Sequence, residues 1–86
     1  MITAQSIESF IQDDESLSCE SYIDERLKDE AYNAKRFGLT SGWIRVYIDD
    51  ENDADAVAEM LRTRGFVNIS YNRDYVLTCD IHFDWA

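Results

Sequence analysis

Eighty-six residues make one domain, since a second would need roughly another 100 residues or more, and a chain this short buries little over ~60% of its unfolded surface. Lys and Arg number 8 against 18 Asp and Glu, a net charge of −10, which excludes direct binding to a phosphate backbone that cations must neutralise. Hydrophobic residues at 45% and aromatics at 13% favour a folded core over disorder, and with neither an apolar run of about 18 residues nor a basic-then-apolar leader, no membrane span and no export are expected.

Residues 3–12 place Ile7, Phe10 and Ile11 at i, i+3 and i+4 behind Thr3 as N-cap, the pattern of a short helix. The polar run Asp13-Asp14-Glu15-Ser16 breaks it. A longer helix is predicted over 18–37, with Ile23, Leu27, Ala31 and Ala34 on one face and Cys19 and Tyr22 beside it. Glu20, Asp24 and Glu25 in its first turns and Lys35 and Arg36 in its last complement the helix dipole. Gly38, and later Gly65, stand where a helix C-cap belongs.

From Gly42 the period becomes two. Ile44, Val46 and Ile48 alternate with Trp43, Arg45 and Tyr47, which predicts a strand. Asn52 or Asp53 caps a third helix running to about residue 64, with Ala54, Val57, Ala58 and Leu61 inward. Residues 66–71 form a second strand with Val67, Ile69 and Tyr71 on one face, and Asn72-Arg73-Asp74 turns the chain. The third strand, 75–85, sets Tyr75, Leu77, Cys79, Ile81, Phe83 and Trp85 against Val76, Thr78, Asp80, His82 and Asp84.

This order predicts an α+β two-layer sandwich, α-α-β-α-β-β, in one domain: a helical part, 1–37, and a β-α-β-β part, 42–85. Strands one and two, joined by a helix, should run parallel; strand three returns by a hairpin and should be antiparallel to strand two. A strand of that length belongs in the centre, so a three-stranded mixed sheet of order 1-3-2, a split β-α-β, is expected. Cys19 and Cys79, 60 residues apart with no Cys-x-x-Cys, read as two reduced, buried thiols in a cytoplasmic protein.

Four features bear on function. Asp49, Asp50, Glu51, Asp53 and Asp55 put five carboxylates within seven residues at the start of the third helix. Acids there stabilise the dipole by ~0.3–1 kcal/mol each, but five exceed what one helix start uses. An EF-hand is excluded, because Ala54 and Met60 stand where the loop needs Gly and a bidentate Glu. The second feature is the acidic second helix with its lead-in: Asp13, Asp14, Glu15, Glu20, Asp24, Glu25 and Asp29. Its like-charge pairs Glu20–Asp24 and Glu25–Asp29 are offset in part by Asp24–Lys28 and Arg26–Glu30. Carboxylates about 6 Å apart along a rigid helix approximate the spacing of phosphates. Each half of the chain carries nine acids and four bases, so the charge is not confined to a tail.

The third feature, Asp80-x-His82-x-Asp84, lines one strand face at steps of about 7 Å, which diverges too far for one metal and reads as solvent-facing polarity. Last, Trp43, Arg45 and Tyr47 face away from the helices, a composition found at interface hot spots.

No nucleophile elbow, phosphate loop or metal-ligand spacing is present, so an enzyme is not expected, nor a cofactor or metal. The sequence instead predicts an acidic interaction protein that captures the basic surface of a nucleic-acid-binding protein or nucleoprotein complex. It would act as a nucleic-acid mimic: an inhibitor of the anti-defence, phage anti-CRISPR or immunity type. Trp43 and Tyr47 would be its anchors. The alternative is a structural or regulatory subunit whose sheet face forms a homodimer or larger assembly.

Overall fold

The computed structural model describes residues 1–13, 16–47, 54–72 and 77–85. Among these residues three helices and three strands follow in the predicted order: α1 (Ala4–Asp13), α2 (Tyr22–Phe37), β1 (Ser41–Tyr47), α3 (Ala54–Thr63), β2 (Val67–Asn72) and β3 (Thr78–Asp84). Thr3 caps α1, its Oγ1 accepting the Ser6 N–H at 3.2 Å. α2 begins later than the apolar spacing suggests. Ser21 is extended (φ −148°, ψ 172°), and its Oγ accepts the Asp24 N–H at 3.2 Å. A serine that replaces the missing helical partner sets the start there, so residues 18–21 stay outside the helix. At the other end Gly38 adopts φ 68°, ψ 34°, and the Leu39 N–H reaches the Ala34 carbonyl at 2.9 Å. That left-handed cap is glycine's own conformation.

The sheet has order β1-β3-β2. β1 pairs antiparallel with β3 from Ser41 opposite Asp84 to Tyr47 opposite Thr78, and β2 pairs antiparallel with β3 on its other side. β1 and β2 run parallel but never touch, so inserting β3 between them makes both ladders antiparallel. The expected mixed sheet is therefore corrected to a wholly antiparallel one.

Ile44, Val46, Cys79, Ile81 and Phe83 share the inner face and are buried with Leu27, Ala31, Ala34, Val57, Leu61 and Phe66 in one core. α2 packs on β1, α3 on β2 and β3, and α1 on α2, where the Phe10 and Tyr32 rings meet edge-on at 5.0 Å. Trp85 extends the apolar row past β3, buried against Phe83, and its N–H is held by the Thr40 carbonyl at 3.1 Å.

β2 departs from simple alternation. Val67 lies opposite Asp84 and Ser70 opposite His82, so β2 spends three steps where β3 spends two. The extra residue is a bulge at Asn68, φ 53°. It puts Val67 on the outer face and leaves Ile69 and Tyr71 on the inner one, correcting the single row expected of the three. Leu77 does not extend the buried row of β3; it is 66% exposed. Cys79 is buried as expected, but Cys19 is exposed ahead of α2, and the two are not joined in a disulfide. Among the described residues, no helix is long and apolar enough to cross a membrane.

Candidate functional site

The acids of α2 divide into three groups. Asp24 is 1% exposed and cannot present its charge to a partner, which removes it from the expected acidic surface. Its Oδ1 accepts from the Ile2 N–H at 2.9 Å and from Arg64 Nη1 at 2.7 Å. Its Oδ2 accepts from the Glu20 N–H at 3.3 Å and the Ser21 hydroxyl at 3.1 Å. Burial opposes ionisation, yet the Ile2 amide, the Arg64 charge and the Ser21 hydroxyl outweigh it and hold the carboxyl below its ordinary range. The anticipated Asp24–Lys28 pairing gives way to this buried clasp, which ties the amino-terminal segment and α2 to the turn after α3. That turn also binds the amino terminus through the main chain, the Ala4 N–H donating to the Arg64 carbonyl at 3.0 Å.

Glu25 and Asp29 form the second group. Both are exposed, and they border a shallow hollow with Cys19, Arg26 and Lys28. Glu20, exposed just before the helix, meets the terminal ammonium at 3.3 Å instead. Glu30 is the third, half-buried over the sheet edge, where it accepts the Trp43 main-chain N–H. Burial pushes its carboxyl above its ordinary range, that hydrogen bond opposes the shift, and the charge of Asp29 adds to it. Its position depends on Gly42: a Cβ there would stand 2.9 Å from Glu30 Oε2 and 3.3 Å from the Trp85 ring.

β1 is an edge strand, and α2 supplies hydrogen-bond partners along it. Glu30 takes the Trp43 N–H, and the Tyr22 hydroxyl donates to the Arg45 carbonyl at 3.4 Å. A charged side chain and a hydroxyl over the strand discourage indiscriminate pairing there.

Trp43 and Tyr47 stand on the outer face, 44% and 66% exposed. Arg45 between them donates from Nε and Nη2 to Asp80 at 2.8 and 3.3 Å. Those bonds hold the Asp80 carboxyl below its ordinary range, against the opposing effect of burial. Asp80, His82 and Asp84 do share that face, but each has a local neighbour: Arg45 for Asp80, the Trp43 ring 6.3 Å from His82, and the Asn68 amide 2.9 Å from Asp84. No three His, Cys, Asp or Glu side chains among the described residues converge as ligands of one metal would.

Of the remaining candidates, Asp13 is exposed at the end of α1, and Asp55, exposed in the first turn of α3, accepts from the Tyr71 hydroxyl. Asp14, Glu15, Asp49, Asp50, Glu51 and Asp53 lie outside the described residues. The structure brings one pairing together that sequence spacing does not suggest. Asp29 on α2 and Trp43 on β1 line the same hollow of about 270 Å³, together with Glu30, Ile44, Arg26 and Arg45. Sequence spacing marks Glu30 only as a partner for Arg26, because its role at β1 depends on a main-chain N–H 13 residues away, which no helical spacing reveals. The chain matches no protein-family model, no curated protein and no solved structure.

Proposed function

We propose that this protein is an acidic interaction domain that captures the basic, nucleic-acid-binding surface of another protein and blocks it as a mimic of the phosphate backbone. The observation that carries the reading is the junction of α2 with β1, where Asp29 and the exposed Trp43 border one hollow. Two carboxylates, Asp29 and Glu30, thus stand beside an aromatic anchor on a helix and a strand, with Arg26 and Arg45 in the same lining. Glu25, one turn from Asp29, continues the acidic side. With a net charge of −10, the field steers a cationic partner toward the molecule, and the aromatic supplies the contact that steering alone does not. An anti-defence inhibitor, an anti-CRISPR protein and an immunity protein are the functional types that fit such a surface.

The test is affinity capture from host lysate, nuclease-treated, at about 50 and about 500 mM salt, since screening shortens the range of exposed charges over that interval. A nucleic-acid-binding protein should be retained at the lower salt, released at the higher, and reduced by E25Q/D29N. Recovery of only the protein itself, or of a neutral partner indifferent to salt, would overturn the mimicry reading in favour of an oligomer-forming subunit.

A further inference from the structure

At the end of the sheet where β1 begins and β3 finishes, α2 and the sheet enclose an open hollow of about 510 Å³. Phe37, Leu39 and Trp43 are its exposed apolar contributors, and the buried Phe83 also lines it. Glu30 and Asp84 bring carboxylates to the same hollow, and its described lining residues include no Lys or Arg. Glu30 and Trp43 also line the smaller hollow beside Asp29, whose other lining residues include Arg26 and Arg45, so the two hollows share these residues where α2 meets the edge of β1.

We infer that this hollow is an arginine-binding site that receives an arginine side chain from an extended segment of a basic partner protein. Charge complementarity selects the occupant, because Glu30 and Asp84 bring two carboxylates beside aromatic rings in a lining that includes His82 but no Lys or Arg. A planar guanidinium suits that combination better than an ammonium, since it stacks on aromatic faces and offers several donors to carboxylates. The rings already accept this cation from within the chain: Arg36 lies over Phe37 at 5.3 Å and Arg45 over Trp43 at 5.8 Å. The Arg45 charge is balanced by Asp80, so it does not neutralise the hollow. Glu30 acts here with one oxygen engaged by the Trp43 N–H, which orients the carboxylate without exhausting its acceptors.

The site deepens the proposed function and rests on it for the partner's identity, but its chemistry can be tested alone. The probe is the blocked tripeptide acetyl-Gly-Arg-Gly-amide, titrated at about 50 mM salt into isotope-labelled protein and followed by amide and indole chemical shifts. Saturable shifts are expected at the Trp43 indole and at the Gly42 and Asn68 amides. The citrulline peptide, of the same shape but uncharged, should produce none, and the lysine peptide should bind more weakly. E30Q/D84N should weaken the arginine peptide about tenfold or more, through the charge-assisted bonds removed, and W43A, checked for retained shift dispersion, should do the same. Shifts confined to the Glu25–Asp29 side, or equal response to arginine and citrulline, would overturn the site. Because E25Q/D29N leaves these hollow residues in place, groove binding that persists without any salt-sensitive partner would refute mimicry and keep the site. The converse result would refute the site alone.

Discussion

Replacing Asp24 with Asn tests whether the fold depends on the buried clasp. The substitution keeps the side chain's shape and leaves one oxygen to accept the Ile2 N–H or Arg64. It removes the charge opposite a guanidinium that is itself only 8% exposed, and it turns an amide NH2 toward the Glu20 N–H, donor against donor. Breaking one side of a buried ion pair costs ~3–5 kcal/mol; the retained oxygen places D24N near the lower end, about 3 kcal/mol. Stability for a chain this size is roughly 4–13 kcal/mol at ~0.05–0.15 kcal/mol per residue, so the variant loses a large share of it. Thermal unfolding should drop by roughly 12–24 °C, at ~4–8 °C per kcal/mol, and urea unfolding should show a lower midpoint at unchanged slope.

The pH dependence gives a second readout of the same clasp. The Asp24 carboxyl is held below its ordinary range when folded. Its contribution is therefore present above the unfolded value near ~3.9 and is lost as pH falls through the lower, folded value. The wild type should converge on D24N in strong acid and stand apart from it at neutral pH. Arg64 Nε has no hydrogen-bond partner among the described residues, so D24N/R64M, which removes both charges, should be more stable than D24N. A D24N protein within about 0.5 kcal/mol of wild type at pH 7, the range of ordinary surface substitutions, would refute the reasoning.

Gly42→Ala should destabilise by about 1–3 kcal/mol, because its Cβ meets both the Glu30 carboxylate and the Trp85 ring; urea unfolding measures this, and a neutral result would mean the ring shifts freely. Glu30, whose carboxyl is raised above its ordinary range mainly by burial, holds its proton more tightly in the fold than in the unfolded chain. Its contribution is full below the unfolded value and fades as pH rises through the folded one. E30Q, which retains an oxygen for the Trp43 N–H, should therefore match or exceed wild-type thermal stability at pH 7, and a clear loss would show that the ionised form is what the fold requires.

The elements were legible where one physical rule dominated. Apolar spacing in α3 names all four of its buried residues, and the cations and glycine at the end of α2 coincide with its cap. Alternation in β1 separates Ile44 and Val46 from Trp43, Arg45 and Tyr47. The failures share a cause, which is that a long-range contact overrides the local pattern. Asp24 reads as one more acid on a charged helix until Arg64, 40 residues away, faces it. Val67 reads as sharing a face with Ile69 and Tyr71 until the pairing with β3 demands an extra residue at Asn68. The groove was partly legible: Trp43 is marked by its exposed strand face, but Glu30 and Phe37 join it only because α2 crosses the start of β1.

The placement of the basic residues bears on how a chain of this charge would work as a binding surface. Arg64 is spent inside on Asp24, Arg45 across the sheet on Asp80, and Arg62 on Glu59 within α3, while Arg26 and Arg36 lie over rings of their own helix. These cations balance charges that the fold itself has to hold, and they leave Glu25 and Asp29 without an ion pair to a described residue. An exposed carboxylate left in that state adds little to stability, since surface pairs contribute only ~0–1 kcal/mol even when made; its effect is on the field outside. On the proposed reading, two tasks fall to two sets of residues. The α2 acids hasten encounter and respond to salt, whereas the Trp43 hollow, with rings and carboxylates in contact with the partner, governs how long the complex lasts.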